Sequence, residues 1–184
     1  MKKIESTNQK NGPIDQYGRY LVVYSIIKDI ALSKKQSKYT VLDIGGYKGQ
    51  TQKFFKNSEA TVTIVDLFDS KASNYVKGSA LDLPFDDQSF DYVVSFEVLE
   101  HIPREHREKF ITEALRVGRG MFLLTAPFAG KHNVVADSEV LVNDFWRSMY
   151  STDHRWLQEH IENKIPSEQD LEDILKKHTQ TFDK

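Results

Sequence analysis

Two groups of residues in this chain have the types and spacing to do chemistry. The first begins at Asp43, which sits in a short apolar run from Val41 to Ile44 and is followed by three glycines in five residues, Gly45, Gly46 and Gly49. Such a run reads as a buried strand turning abruptly into a helix, and in an open α/β sheet that turn borders the ligand crevice. Asp66 follows about 20 residues later at the end of a second β-branched run, where a carboxylate can accept hydrogen bonds from both hydroxyls of a ribose. A dinucleotide would want a glycine where this chain has Tyr47, and Asp43 sets negative charge beside the turn. Both disfavour a pyrophosphate and favour a ligand carrying an ammonium group. Amine plus ribose describes an aminoacyl nucleoside. The plainer alternatives are that Asp43 caps the turn and that Asp66 is an ordinary strand-end acid.

The second group is Phe96-Glu97-Val98-Leu99-Glu100-His101. Read as a helical turn, it places Glu97 on one face with Glu100 and His101. His101 ordinarily titrates near neutrality and can serve as a general base toward a hydroxyl or amine; it could equally orient Glu97 or cap the turn.

The elements that must position these groups follow from periodicity. Tyr17, Tyr20, Leu21, Tyr24, Ile27 and Ala31 fall at helical spacing and predict an amphipathic helix from Asp15 to about Ser33. Strands are predicted at Thr40 to Ile44, Thr61 to Val65, Tyr75-Val76, Phe90 to Phe96 and Met121 to Thr125. Between them fall a helix at Thr51 to Lys56 and another that opens at Pro103, buries Phe110, Ile111, Ala114 and Leu115, and ends at Gly118. Alternating strands and helices predict a doubly wound α/β fold, a parallel sheet with helices on both faces. After Pro127 the pattern turns helical, at about Ser138 to Met149, His154 to Asn163 and Ser167 to Lys177, and Thr179 to Phe182 reads as a strand just beginning.

The length of 184 residues suits one domain: a flexible tail over 1–13, a ligand-binding core over 14–130 and a helical acceptor or lid region over 131–184. No apolar run approaches the roughly 20 residues a membrane helix requires, and the basic N-terminus lacks the apolar stretch of a secretory signal, so the expected location is the cytoplasm, with no membrane partner. The absence of cysteine excludes disulfides, thiolate metal sites and a cysteine nucleophile. A net charge of −2 offers no coherent basic face for a phosphate backbone, which makes nucleic acid an unlikely partner.

With these segments in register, the chain resembles the class I S-adenosylmethionine-dependent methyltransferases, and within them the type 11-like domains with an L-P-F turn followed by S-F-D and L-E-H. The resemblance runs from about Val41 to Phe128. It implies S-adenosyl-L-methionine as cofactor and a Rossmann-like sheet of order 3-2-1-4-5, with the family's final two strands missing from this chain. It also implies a cofactor site made by Asp43, Gly45, Gly46, Tyr47, Gly49, Asp66, Leu67, Ser79, Ala80, Leu81 and Phe96. Tyr47 replaces the family's second glycine, and Ser79 stands where an acid usually meets the adenine.

The implied activity is methyl transfer to an oxygen or nitrogen of a small-molecule acceptor, which a faint resemblance of the C-terminal helices makes sugar-linked, with His101 and Glu97 as the catalytic side chains. No metal is assigned. An alternative, suggested by relatives with an E-x-x-E-H pattern, is a divalent ion on Glu97, Glu100 and His101 completed by a later histidine such as His154. The segment Asp153-His154-Arg155-Trp156 is expected to shape the acceptor pocket. The rival functions are a catalytically silent S-adenosylmethionine-binding or scaffold domain and, less in keeping with Tyr47 and Asp43, a nicotinamide-dependent oxidoreductase. An exposed fifth-strand edge would be covered by a helix or pair with another copy in a homodimer.

Overall fold

Runs of β-branched and aromatic residues form the strands that carry everything else. In the computed structural model, which describes residues 14–46, 49–56, 58–129 and 134–179, with side chains from 17 onward except those of 134–138 and 179, five parallel strands make one sheet. They are β1 (Tyr39–Ile44), β2 (Ala60–Asp66), β3 (Tyr75–Lys77), β4 (Phe90–Phe96) and β5 (Gly118–Thr125), in the order β3-β2-β1-β4-β5. β1 lies between β2 and β4, with Asp43 level with Ile64 on one side and Val94 on the other. The order reverses between β1 and β4, so their carboxyl ends open the crevice that such a reversal leaves.

Side chains alternate between two cores. Leu42, Ile44 and Val93 face α3 (Arg107–Val117), whose Phe110, Ile111, Ala114 and Val117 are buried there with Leu171 and Ile174 of α6 (Glu168–Thr179) beside them. Val41, Tyr92 and Val94 face the opposite core, which takes Val23, Ile27 and Ala31 of α1 (Ile14–Ser33) and Phe55 of α2 (Gln50–Phe55). Helices therefore cover both faces. The buried stripe of α1 runs through Val23 and not through Leu21 and Tyr17, which stay exposed. Two further helices, α4 (Val134–Tyr150) and α5 (Arg155–Asn163), follow β5. They are tied by Asn143 and Arg147, both of which donate to Asp153 Oδ1, at 3.0 and 2.7 Å.

Several boundaries differ from the sequence expectation. Gly118 ends α3 by becoming the first, extended residue of β5, so that strand starts three residues before Met121. Pro103 precedes a separate 3-10 turn, Arg104–His106, and α3 begins only at Arg107. Thr179 is the last residue of α6 and not the start of a strand; residues 180–182 lie outside the described residues. Among the described residues β5 pairs with β4 alone, and no helix is long and apolar enough to cross a membrane.

Asp91 pins the amino ends of three strands. Its carboxylate accepts from the backbone N–H and hydroxyl of Thr40 at 2.8 and 3.1 Å and from Arg119 Nε at 2.9 Å. Burial opposes its charge, but the bonds from Arg119 and Thr40 prevail and hold the carboxyl below its usual range. Its stabilisation is therefore complete above the ordinary carboxylate pKa of about 4 and is lost as pH falls through the lower folded value. Asp91→Ala is expected to cost about 3 kcal/mol in urea unfolding at pH 7. Asp91→Asn should flatten the acid limb of the stability curve, and an unchanged acid limb would refute this role.

Candidate functional site

The first wall of the site is the turn after β1. Gly45 has φ 84°, a left-handed conformation that side chains rarely adopt, and a Cβ there would overlap the side chain of Val98. A Cβ on Gly46 would overlap the Asp43 carboxylate. Gly45 N–H donates to Val65 C=O at 2.8 Å, which ties the turn to the tip of β2. Beyond that tip Asp66 Oδ1 accepts from Phe68 N–H at 3.2 Å.

The second wall is the turn after β4. Glu97 has φ 55°, and only Leu99–His101 that follow it form a 3-10 turn. This corrects the helical reading of Glu97 to His101: a left-handed residue breaks the periodicity that would have set Glu97 beside Glu100 and His101. Instead Glu97 points back toward β5 and α1. Its N–H donates to Thr125 C=O at 2.9 Å, its Oε1 accepts from the Thr125 hydroxyl at 3.1 Å, and Arg19 Nε lies 3.7 Å from the same oxygen. Glu100 turns inward and is 1% exposed.

Between these walls is a cleft of about 710 Å³. Gly45, Gly46, Asp66, Leu67, Ala80, Phe96, Glu97 and His101 all line it, so eight of the residues singled out from the sequence meet in one place. Four others do not line it. Asp43 lies behind Gly46, and its Oδ2 accepts from the Thr51 hydroxyl at 2.5 Å. Gly49 makes the left-handed entry to α2. Ser79 closes a turn, its hydroxyl accepting from Leu81 N–H at 3.1 Å, and Leu81 packs toward the α3 core. Tyr47 lies outside the described residues.

Of the walls that come from distant elements, the sequence reading singled out Arg155 and Trp156 and missed the rest. From α1, Tyr20 stacks between Phe54 and Phe96, with ring centroids at 5.3 and 4.4 Å, and Arg19 faces Glu97. Burial, with the charge of Asp43 nearby, holds the Tyr20 hydroxyl well above its usual range. From α5, Arg155, Trp156 and Glu159 roof the cleft: Arg155 lies over the Phe68 ring at 5.8 Å, and Trp156 meets His101 edge-on at 5.2 Å. Helical periodicity marked Tyr20 as apolar packing, and nothing local distinguished it as a cleft residue.

His101 is held by α5. Its Nδ1 lies 3.0 Å from Glu159 Oε2, and its Nε2 lies 3.2 Å from Nε2 of His160, whose own Nδ1 is 2.9 Å from Glu139 Oε1. Burial, and then the neighbouring His160, lower the pKa of His101 against the opposing pull of Glu159. Burial also pushes the Glu100 carboxyl up to about 8, with Glu97 and Glu139 adding to the shift. A second hollow of about 370 Å³ lies on the far side, lined by His160, Arg107, Lys164 and Glu139 among others. His154, the residue expected to join a metal set, is elsewhere, its ring 4.7 Å from Trp146 and its N–H donating to Asn143 Oδ1 at 2.8 Å.

Residues 42–124 match the family model described as a methyltransferase domain, Methyltransf_11. None of the curated proteins matches the chain. Among solved structures, BH2331 of Bacillus halodurans, described as a candidate methyltransferase, is similar at TM-score 0.59 and 20% identity over 85% of this chain and 67% of that one. YcgJ of Bacillus subtilis gives TM-score 0.59 and 21% identity over 85% and 66%. The 1,6-didemethyltoxoflavin-N1-methyltransferase of Burkholderia thailandensis, solved with its acceptor and S-adenosylhomocysteine, gives TM-score 0.50 and 18% identity over 61% and 54%. The chain thus spans about two thirds of the length of the first two, and at these identities the likeness establishes the fold.

Asp43 carries a sharp consequence of its position. Burial raises its carboxyl to about 7, against the hydrogen bond from Thr51 and with the charge of Asp66 adding to the rise. A folded pKa above the unfolded one means that stability is fullest below the ordinary range and is lost as pH rises through about 7. The uncharged isostere Asp43→Asn should remove that loss. Thermal unfolding at pH 5 and pH 8 is expected to show wild type falling relative to the variant, and parallel curves would show that Asp43 does not titrate there.

Proposed function

Residues 42–124 are a methyltransferase type 11 domain of the class I S-adenosylmethionine-dependent kind, and from that premise we propose that the chain transfers a methyl group to an oxygen or nitrogen of a small, hydroxyl-rich acceptor, of which a sugar-linked molecule is the leading candidate. The observation that carries the reading is the convergence of Gly45, Gly46, Asp66 and Ala80 with Glu97 and His101 in one cleft at the carboxyl ends of β1, β2 and β4.

The residues present fit the cofactor. Its volume and mixed lining are those of a small-molecule site. The bare backbone at Gly45 lets Val98 close against the turn, Asp66 offers a carboxylate to ribose hydroxyls, and Leu67 and Ala80 supply apolar contacts for a base. Among the described residues the cleft does not gather basic groups for a pyrophosphate: Arg19 faces Glu97, and Arg155 Nε donates to Glu159 Oε1 at 3.1 Å. S-adenosylmethionine supplies an electrophilic methyl group on a positively charged sulfur, and its displacement is in line, so alignment does most of the work.

The chain's own groups perform that alignment. Phe96 and Tyr20 wall one end of the cleft with rings in tilted contact, and Trp156 walls the other against His101. Glu97 is fixed by Thr125 and Arg19, so its negative charge is held in place before any ligand arrives. His101 is lowered toward its neutral form, and with Nδ1 against Glu159 it presents Nε2 at the junction of the cleft and the hollow beside His160. Glu97 and His101 are accordingly assigned to activating the acceptor. Arg107, Lys164, Glu139 and Asp170 add polar groups to a hollow whose lining is otherwise apolar, with Val140, Ile161 and Ile165.

Calorimetric titration tests the reading. Wild type is expected to bind S-adenosylhomocysteine and not NAD, and Asp66→Ala should weaken that binding about 100-fold, the loss of two hydrogen bonds to a charged group. Binding of NAD in preference, or an Asp66→Ala variant that binds as wild type does, would overturn it.

A further inference from the structure

We propose that Glu100, His101 and His160 form a site for one divalent transition-metal ion of the zinc type, with a coordination position open between the cleft and the hollow beyond it. One ligand atom from each of the three residues lies within 4.8 Å of the others. The two imidazoles approach from different parts of the chain, His101 from the turn after β4 and His160 from α5, and meet through their Nε2 atoms at 3.2 Å. Two nitrogens bound to one tetrahedral zinc, each about 2.1 Å from it, stand about 3.4 Å apart. The observed spacing is therefore that of a pair of metal ligands.

Protonation points the same way. Each Nδ1 faces a carboxylate, Glu159 at 3.0 Å for His101 and Glu139 at 2.9 Å for His160, so each Nδ1 is the nitrogen that carries hydrogen. In the neutral rings both Nε2 atoms then present lone pairs to one another, an arrangement that repels unless a cation lies between them. A carboxylate on the far nitrogen of each histidine is also the support that metal-binding imidazoles usually have, because it fixes the tautomer and makes the ring a better donor.

Glu100 is the independent observation. It is 1% exposed, and its Oε2 has no hydrogen-bond partner among the described residues. A buried carboxylate in that state is costly unless a positive charge satisfies it. Arg107 is close but does not bond to it, its guanidinium donating instead to the carbonyls of Ile102, Asn163 and Lys164. Glu97 is excluded from the set by its left-handed backbone, and His154 by its place beside Trp146.

Two histidines and one carboxylate leave a fourth position free, as in zinc sites that act on a substrate. His101 lines the large cleft and His160 the smaller hollow, so that position lies at their junction. If the methyltransferase reading holds, on which this role rests, an acceptor hydroxyl bound there would give up its proton to solvent water more readily, and the ion would take over the activation otherwise assigned to the imidazole of His101.

The test uses Co²⁺ as the probe. Protein stripped with a chelator is titrated with Co²⁺ without other ligands, and the visible absorption of a four- or five-coordinate ion should saturate at one per chain and be displaced by Zn²⁺. Glu100→Gln, which keeps the side chain's shape, and His160→Ala should each weaken binding about 100-fold or more, and Glu139→Gln about tenfold. His178→Ala, whose ring meets Thr112, should leave it unchanged. Circular dichroism melts establish that each variant is folded. Absence of saturable uptake, with the imidazoles bridged by a shared proton instead, overturns the proposal, as does uptake that Glu100→Gln and His160→Ala leave intact. Co²⁺ binding without S-adenosylhomocysteine binding would remove the methyltransferase reading and keep the site; the reverse would remove the site alone.

Discussion

The backbone turn at Glu97 is the constraint from which the rest of the site follows. A residue that is not glycine in the left-handed region costs of order 1 kcal/mol and persists only where its surroundings enforce it. Here the enforcement is visible. Glu97 is bonded to β5 through its N–H and its carboxylate, which extends the β4–β5 ladder by one residue before the chain swings away. The swing sets Val98 over Gly45, drops Leu99 into the α3 core and aims His101 at α5.

This arrangement concentrates ionisable groups where the sheet ends. Asp43 and Glu100 are both nearly inaccessible to water, and both have an oxygen without a partner among the described residues. Uncompensated buried carboxylates oppose folding, so their presence at the rim marks a place where stability has been given up for chemistry. Arg116, by contrast, bonds Glu113, Asp87 and two carbonyls of the loop over 83–87, and Arg107, with one guanidinium nitrogen left without a partner among the described residues, holds the end of α5 to α3. The contrast separates the groups that hold the fold from those held ready for a ligand.

Much of this was legible in the sequence. The five strands could be read because parallel strands buried on both faces carry runs such as Val62 to Val65 and Tyr92 to Val94 that have few other uses, whereas their order came only with the resemblance to the methyltransferase family. The glycine turn and Asp66 were legible because their chemistry is local. What was not legible depended on backbone conformation or on contacts far apart in the chain. No residue type announces that Glu97 will be left-handed, and that one dihedral decided which acid joined His101. His160 sits in an ordinary amphipathic helix, 59 positions from the ring it faces, and only the docking of α5 brings them together. Spacing along the chain says nothing about a site built from two separate elements.

The roof of the cleft and the far histidine belong to the same nine-residue helix. Arg155, Trp156 and Glu159 line the large cavity, and one turn from Trp156 the same helix presents His160 to His101. The breadth of the cleft and the spacing of the paired imidazoles are therefore not independent quantities: a displacement of this one rod alters both.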